Sequence, residues 1–204
     1  MIRAKRSLTF LSAALLAAAS LPALAQATHN PAEVQGGEFA VDPNHTQIGF
    51  TVSHMGFSNF SGRLSGVTGT LSLANGDHAG SKLSVSVPAS SFSTPVDKLN
   101  GELVSADWFD AQKFPAITFT STKVTPTGAD GATIEGNLTL HGVTKPITLT
   151  AKFVGAGASP MSKVYTVGFD ATGTVKRSDF GVTKYVPLIG DEVELSLHGA
   201  FEKK

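Results

Sequence analysis

Residues 131–153 read G-A-T-I-E-G-N-L-T-L-H-G-V-T-K-P-I-T-L-T-A-K-F, and this stretch decides the fold. Ile134, Gly136, Leu138 and Leu140 share one parity, opposite Thr133, Glu135, Asn137 and Thr139. After His141-Gly142 the alternation resumes, with Ile147, Leu149, Ala151 and Phe153 against Thr148, Thr150 and Lys152. A period of two marks a strand with one buried face. Two such runs about a tight turn predict an antiparallel hairpin.

The same pattern extends in both directions. Ile48, Phe50, Val52 and His54 alternate with Gln47, Gly49, Thr51 and Ser53. Leu83, Val85 and Val87 alternate with serines. Val167, Phe169, Ala171, Gly173 and Val175 face away from Thr166, Asp170, Thr172 and Thr174, and Val193, Leu195, Leu197 and Phe201 finish the chain. Segments near 61–73 and 116–125 bring the total to about eight strands, separated by Gly, Pro, Asn and Asp turns. Long strands need their edges hidden, which favours closure. The expected class is therefore all-β, an eight-stranded antiparallel, lipocalin-like barrel. One interval, Ser93–Asp110, does not alternate. Val96, Leu99 and Leu103 at i, i+3 and i+7 predict a short helical insertion near residues 96–105, across one end of the barrel.

The N-terminus has a different character. Arg3, Lys5 and Arg6 precede an almost unbroken Leu/Ala run over 11–21, and Pro22-Ala23-Leu24-Ala25 offers a small-x-small cleavage pattern. This is the layout of a secretory signal peptide. Cleavage is expected after Ala25, with Ala27 the alternative. Residues 26–37 read as a flexible leader and 38–204 as the domain. Losing three of the 16 cations leaves them outnumbered by the 16 acids, so no basic stripe remains to neutralise phosphates, and nucleic-acid binding is not expected. The absence of cysteine removes disulfides, thiolate metal sites and thiol catalysis. Export predicts a periplasmic location.

Catalytic patterns are lacking. His45, His54, His141 and His198 match no compact metal-ligand spacing, and no G-x-S-x-G is present for a nucleophilic serine. Neither catalytic nor metal residues are assigned, no cofactor is required, and the chain is read as a non-enzyme. A barrel of about eight strands is either filled by side chains or hollow enough for one small ligand. Gly136, Ala151, Ala171 and Gly173 on the apolar faces make room, or mark bends; the sequence leaves both readings open.

Five strings resemble one family. They are D-P-N-H-T-Q-I-G-F-T-V-S-H (42–54), F-P-A-I-T-F-T-S-T (114–122), G-N-L-T-L-H-G-V-T-K-P-I-T-L (136–149), K-R-S-D-F-G (176–181) and G-D-E-V-E-L (190–195). In order and spacing they are similar to the YceI-like family of periplasmic, lipocalin-like, polyisoprenoid-binding proteins, over about residues 38–204. The resemblance implies an extended eight-stranded antiparallel barrel around a long apolar pocket. Its ligand would be an isoprenoid chain, an isoprenoid quinone or a fatty-acid-like amide. One departure stands out. Many members carry R-D-x-H-L just before a D-x-F-F-D segment. Here Leu99–Leu103 reads L-N-G-E-L and Trp108 replaces the first aromatic. That weakens the case for an anionic head-group contact there and leaves room for a different or neutral head group.

The function expected is a periplasmic binding or carrier protein for a long-chain hydrophobic ligand. Phe50, His54, Phe57, Phe60, Trp108, Phe109, Phe114 and Phe180 are the expected lining. His54 either points inward at a strand end or is a core-edge imidazole bonded to backbone. His45 and His141 read as turn residues. Arg177 and Asp179 read as an ion pair closing a corner, in preference to a ligand contact. Two alternatives stay open: a barrel-shaped interaction module serving a membrane redox or stress partner, and a lipid-modifying hydrolase. Transient membrane or membrane-protein contact is a further expectation, and the oligomeric state is open, a dimer included.

Overall fold

A computed structural model describes residues 27–76 and 78–204. The expected signal peptide, residues 1–25, lies outside the described residues. Among the described residues, ten strands, a short helix and three 3-10 turns follow one another: β1 (Gly37–Val41), β2 (Gln47–His54), β3 (Ser58–Leu64), β4 (Thr68–Leu73), β5 (Lys82–Pro88), α1 (Asp97–Leu103), β6 (Ala116–Thr127), β7 (Gly131–Leu140), β8 (Val143–Ala158), β9 (Tyr165–Lys176) and β10 (Ile189–Lys203). All pair antiparallel, in the order β1-β4-β5-β6-β7-β8-β9-β10-β2-β3, and β1 also pairs with β10.

That second pairing closes the sheet. β10 holds β2 along its first part, with Leu195 opposite Phe50, and β1 along its last, with Phe201 opposite Val41. β1 and β2 are thus one wall strand interrupted at 42–46. The interruption is satisfied by side chain: Thr46 Oγ1 donates to the Ala200 carbonyl, and the Ala200 N–H donates back to Thr46 Oγ1. β3 and β4 form a second interrupted strand, lying on β2 and β1 respectively. Eight staves result, as expected from the alternation. Closure pairs most strands on both sides, which limits the edge left to template aggregation.

The hairpin expected at 131–153 forms, with Leu140 opposite Val143. Its turn needs left-handed backbone at both positions, and His141 (φ +51°) and Gly142 (φ +75°) supply it. The outer face carries Thr150, Thr172, Glu194 and Ser196, while Leu149, Ala171, Val193 and Leu195 face in. Polar-out and apolar-in is the reverse of a transmembrane barrel.

Two segments close the ends. After Pro88 the chain leaves the sheet and returns at Ala116. Between these points Ser93 exchanges two hydrogen bonds of 2.9 Å with Arg63 of β3, covering that strand's free side. α1 follows, fastened by Asn100, whose Oδ1 accepts from the Thr94 N–H (2.7 Å) and hydroxyl (2.8 Å). Leu103 is buried beneath it, but Val96 is 46% exposed, so the apolar stripe is shorter than its spacing predicts. At the opposite end lie residues 28–36, within the 26–37 segment read as a leader. Thr28 pairs with Ala156, Asn30 caps a 3-10 turn over Pro31–Glu33, and Val34 packs on the buried core. Backbone pairing and one half-buried apolar side chain tie this segment to the barrel.

Candidate ligand-binding site

The buried side chains form two clusters, one including Phe39, Val167 and Phe201, the other Phe119, Leu149 and Phe180. They do not meet as a solid centre. The barrel interior is a cavity of about 860 Å³ running from Met55, Trp108 and Leu188 at one end to Pro31, Gly76 and Gly128 at the other. Ligand pockets span roughly 300–1,000 Å³, so the hollow is at the large end of that range. The alternating residues build its wall: Ile48, Phe50 and Val52 from β2, Leu83, Val85 and Val87 from β5, Ile147, Leu149, Ala151 and Phe153 from β8, Phe169, Ala171 and Val175 from β9, and Val193, Leu195 and Leu197 from β10.

The two readings of the small residues resolve differently by position. Ala151 and Ala171 sit opposite each other on neighbouring strands and both line the cavity, so they widen it. Gly136 and Gly173 instead seat a neighbour's side chain. A Cβ at Gly136 would lie 2.3 Å from Phe119 Cζ, and one at Gly173 2.6 Å from Leu149 Cδ2.

Five of the expected lining residues, Phe50, His54, Phe60, Trp108 and Phe109, stand in the wall. Phe50 meets Phe92 edge-on at 5.8 Å, and Phe92 stacks on Phe109 at 4.4 Å, sealing the side where α1 crosses. Three stand elsewhere. Phe57 is 90% exposed on the β2–β3 turn. Phe114 lies against the His141-Gly142 turn, edge-on to His141 at 4.8 Å. Phe180 is fully buried in the second cluster, outside the cavity wall. Phe92, Met55, Tyr185 and Leu188, which the sequence pattern does not single out, also line the cavity. They lie in loops, where no alternation flags them. Phe119, Phe153, Phe169 and Phe201 also line it, and parity was the signal available for the last three.

His45 is exposed and hydrogen-bonded to Asp42. His141 Nδ1 is 3.1 Å from the Phe180 carbonyl, a contact that fixes its turn against the 3-10 turn at 177–180. The expected Arg177–Asp179 ion pair does not form among the described residues. Arg177 is buried and donates to three main-chain carbonyls: Gly190 from Nε (2.9 Å), Val182 from Nη1 (2.9 Å) and Ile189 from Nη2 (2.8 Å). Asp179 is exposed in a 3-10 turn that carries its side chain outward. Burial lowers the Arg177 pKa, and the charge of Asp191 opposes that shift. Asp191 itself accepts from the Ser178 hydroxyl (2.7 Å) and N–H (2.9 Å).

Polar groups in the wall are few. Trp108 is 8% exposed; the Arg177 guanidinium lies 5.7 Å over its ring and Tyr185 meets it at 6.1 Å. Its Nε1 is the one buried side-chain nitrogen or oxygen without a hydrogen-bond partner among the described residues. An unpaired buried donor costs about 1–3 kcal/mol.

A closed antiparallel barrel with an apolar hollow of this size defines a lipocalin-like binding protein for a hydrophobic ligand. The YceI-like domain family matches residues 39–201, and the chain belongs to that family. A UPF0312 protein of Vibrio vulnificus is 37% identical over 172 residues, covering 82% of this chain and 88% of the relative. Two solved structures share the fold. BcnA of Burkholderia cenocepacia superposes with a TM-score of 0.70 at 24% identity, over 78% of this chain and 98% of its own. A polyisoprenoid-binding domain from Saccharophagus degradans does so at 0.61 and 16% identity, over 83% and 100%.

Proposed function

We propose that this chain is an exported periplasmic carrier that holds one long-chain hydrophobic ligand, a polyisoprenoid, an isoprenoid quinone or a fatty-acid-like amide, along the barrel axis, and that it performs no chemistry on it. The observation that carries this reading is the apolar hollow of about 860 Å³. Each methylene moved from water into it contributes about 0.8 kcal/mol, so roughly 20 buried carbons give a gross ~16 kcal/mol. Ordering and immobilising the ligand offsets much of that sum, and tight binding still follows without a charged contact. The Saccharophagus domain's polyisoprenoid ligand class supports the assignment.

Exchange takes place at a membrane surface. Met55 (51% exposed), Tyr185 (57%) and Leu188 (62%) both line the cavity and face solvent, with Phe57 beside them on the β2–β3 turn. The Met55 N–H donates to the Leu188 carbonyl at 2.7 Å, joining the two loops into one apolar rim. Such a rim continues the greasy interior out to where a lipid would leave a bilayer.

The test is native mass spectrometry of protein purified from a bacterial periplasm, followed by solvent extraction. A co-purifying hydrophobic molecule of one ligand per barrel is expected. Protein that is repeatedly empty, and that takes up neither isoprenoid quinones nor long-chain amides, overturns the reading.

A further inference from the structure

Trp108 and Arg177 form an unusual pair at the end of the cavity beneath the 89–115 crossing. Both belong to the cavity wall and both are more than nine-tenths buried. The Trp108 Nε1–H has no acceptor among the described residues. A guanidinium carries five N–H groups, and Arg177 commits three of them to the carbonyls of Gly190, Val182 and Ile189. Two remain, on the two Nη atoms. No carboxylate lies within ion-pair distance of Arg177 among the described residues; at contact range its positive charge meets main-chain carbonyls and the Trp108 ring, with the Asp191 charge acting from farther off. Lys184, 5.9 Å above the same ring, is tied to Asp107 at 2.8 Å. Buried donors are nearly always satisfied, and an orphan beside a cavity calls for an acceptor.

We infer that Trp108 and Arg177 are a head-group subsite: the ligand lies with an acceptor oxygen, a carbonyl or a carboxylate, at this end, hydrogen-bonded to the indole N–H and to the uncommitted guanidinium N–H groups. The inference rests on the carrier reading above and adds polarity to it. The tail points down the axis toward Gly128, and a hydrocarbon with no acceptor leaves both donors unspent. Leu99–Leu103 lacks the Arg, Asp and His of the related string, and Trp108 and Arg177 supply donors from other positions.

The chain has a single tryptophan, so its indole N–H gives one cross-peak in a nitrogen–proton correlation spectrum. Delipidated protein is titrated with a benzoquinone bearing a decyl tail, with palmitate and with hexadecane, binding being followed independently by native mass spectrometry. The indole cross-peak is expected to move downfield with a headed ligand and not with hexadecane. A response to the quinone alone identifies a carbonyl, and a response to palmitate alone identifies a carboxylate. Trp108→Phe is expected to weaken the responding ligand about fivefold to tenfold relative to its effect on hexadecane, the worth of one hydrogen bond. If headed ligands bind while the indole responds as it does to hexadecane, the subsite is wrong and the carrier reading stands. If none of the three binds, both fall. The wild-type spectrum decides the matter even if the variant does not fold.

Discussion

Gly136 of β7 lies directly beneath the ring of Phe119 on β6, so close that a Cβ there would be 2.3 Å from the ring and 2.6 Å from the Thr120 carbonyl oxygen. The glycine lets a large ring lie flat on the wall instead of standing into the hollow. Gly136→Ala must push the ring inward and also strain backbone. It is expected to destabilise the barrel by about 1–3 kcal/mol, as overpacking does, and to shorten the longest tail that co-purifies. Urea unfolding and extracted-lipid profiles measure the two effects. A variant with unchanged stability and unchanged ligand length would show that the wall yields there freely.

Ala171 lines the cavity opposite Ala151. Ala171→Phe adds a ring where there is space, so the fold should survive with its unfolding midpoint little changed while ligand is lost. Circular dichroism and native mass spectrometry separate these outcomes. Retention of a full-length ligand would place the tail elsewhere.

Acid should weaken the corner at 177–191. The Ser178 hydroxyl bond holds the Asp191 carboxyl below its usual value of 3.8, with the Ser178 N–H and the charges of Arg177 and Lys176 helping. A depressed folded-state pKa gives stability that is fully present above the unfolded value and lost as pH falls through the folded one. Asp191→Asn should therefore flatten the stability profile below the ordinary carboxylate range, and leave the neutral-to-basic arm parallel to wild type. Parallel profiles throughout acid would remove Asp191 from the account.

Phe57 stands outside the cavity lining, 90% exposed on the turn beside the rim. Phe57→Ser should slow uptake of a quinone from phosphatidylcholine vesicles severalfold, while affinity for ligand added from detergent stays the same. Equal uptake rates would dissociate the rim from the membrane.

The wall was legible because inward and outward positions of a strand differ in what they touch, and Ile48 to His54 or Ile147 to Phe153 carry that difference in every second letter. Loops obey no such period. Phe92, Tyr185 and Leu188 enter the site through backbone paths that depend on what lies across the barrel end. Aromatic type alone does not place a ring either: Phe57, Phe114 and Phe180 are the same residue on a turn tip, on a hairpin turn and in solid core. The Arg177 carbonyl cradle was hidden because its partners, Val182, Ile189 and Gly190, offer main-chain groups that every residue possesses.

The pairing of Phe39–Val41 with Phe201–Lys203 has a temporal consequence. The first stave finds its second neighbour only at the far end of the domain in sequence, so the fold depends on a contact spanning almost the whole domain and should mature slowly. Until that seam zips, an arc of strands offers its inner surface to whatever surrounds it. A lipid present at that moment can be wrapped; one arriving later must thread in past an end.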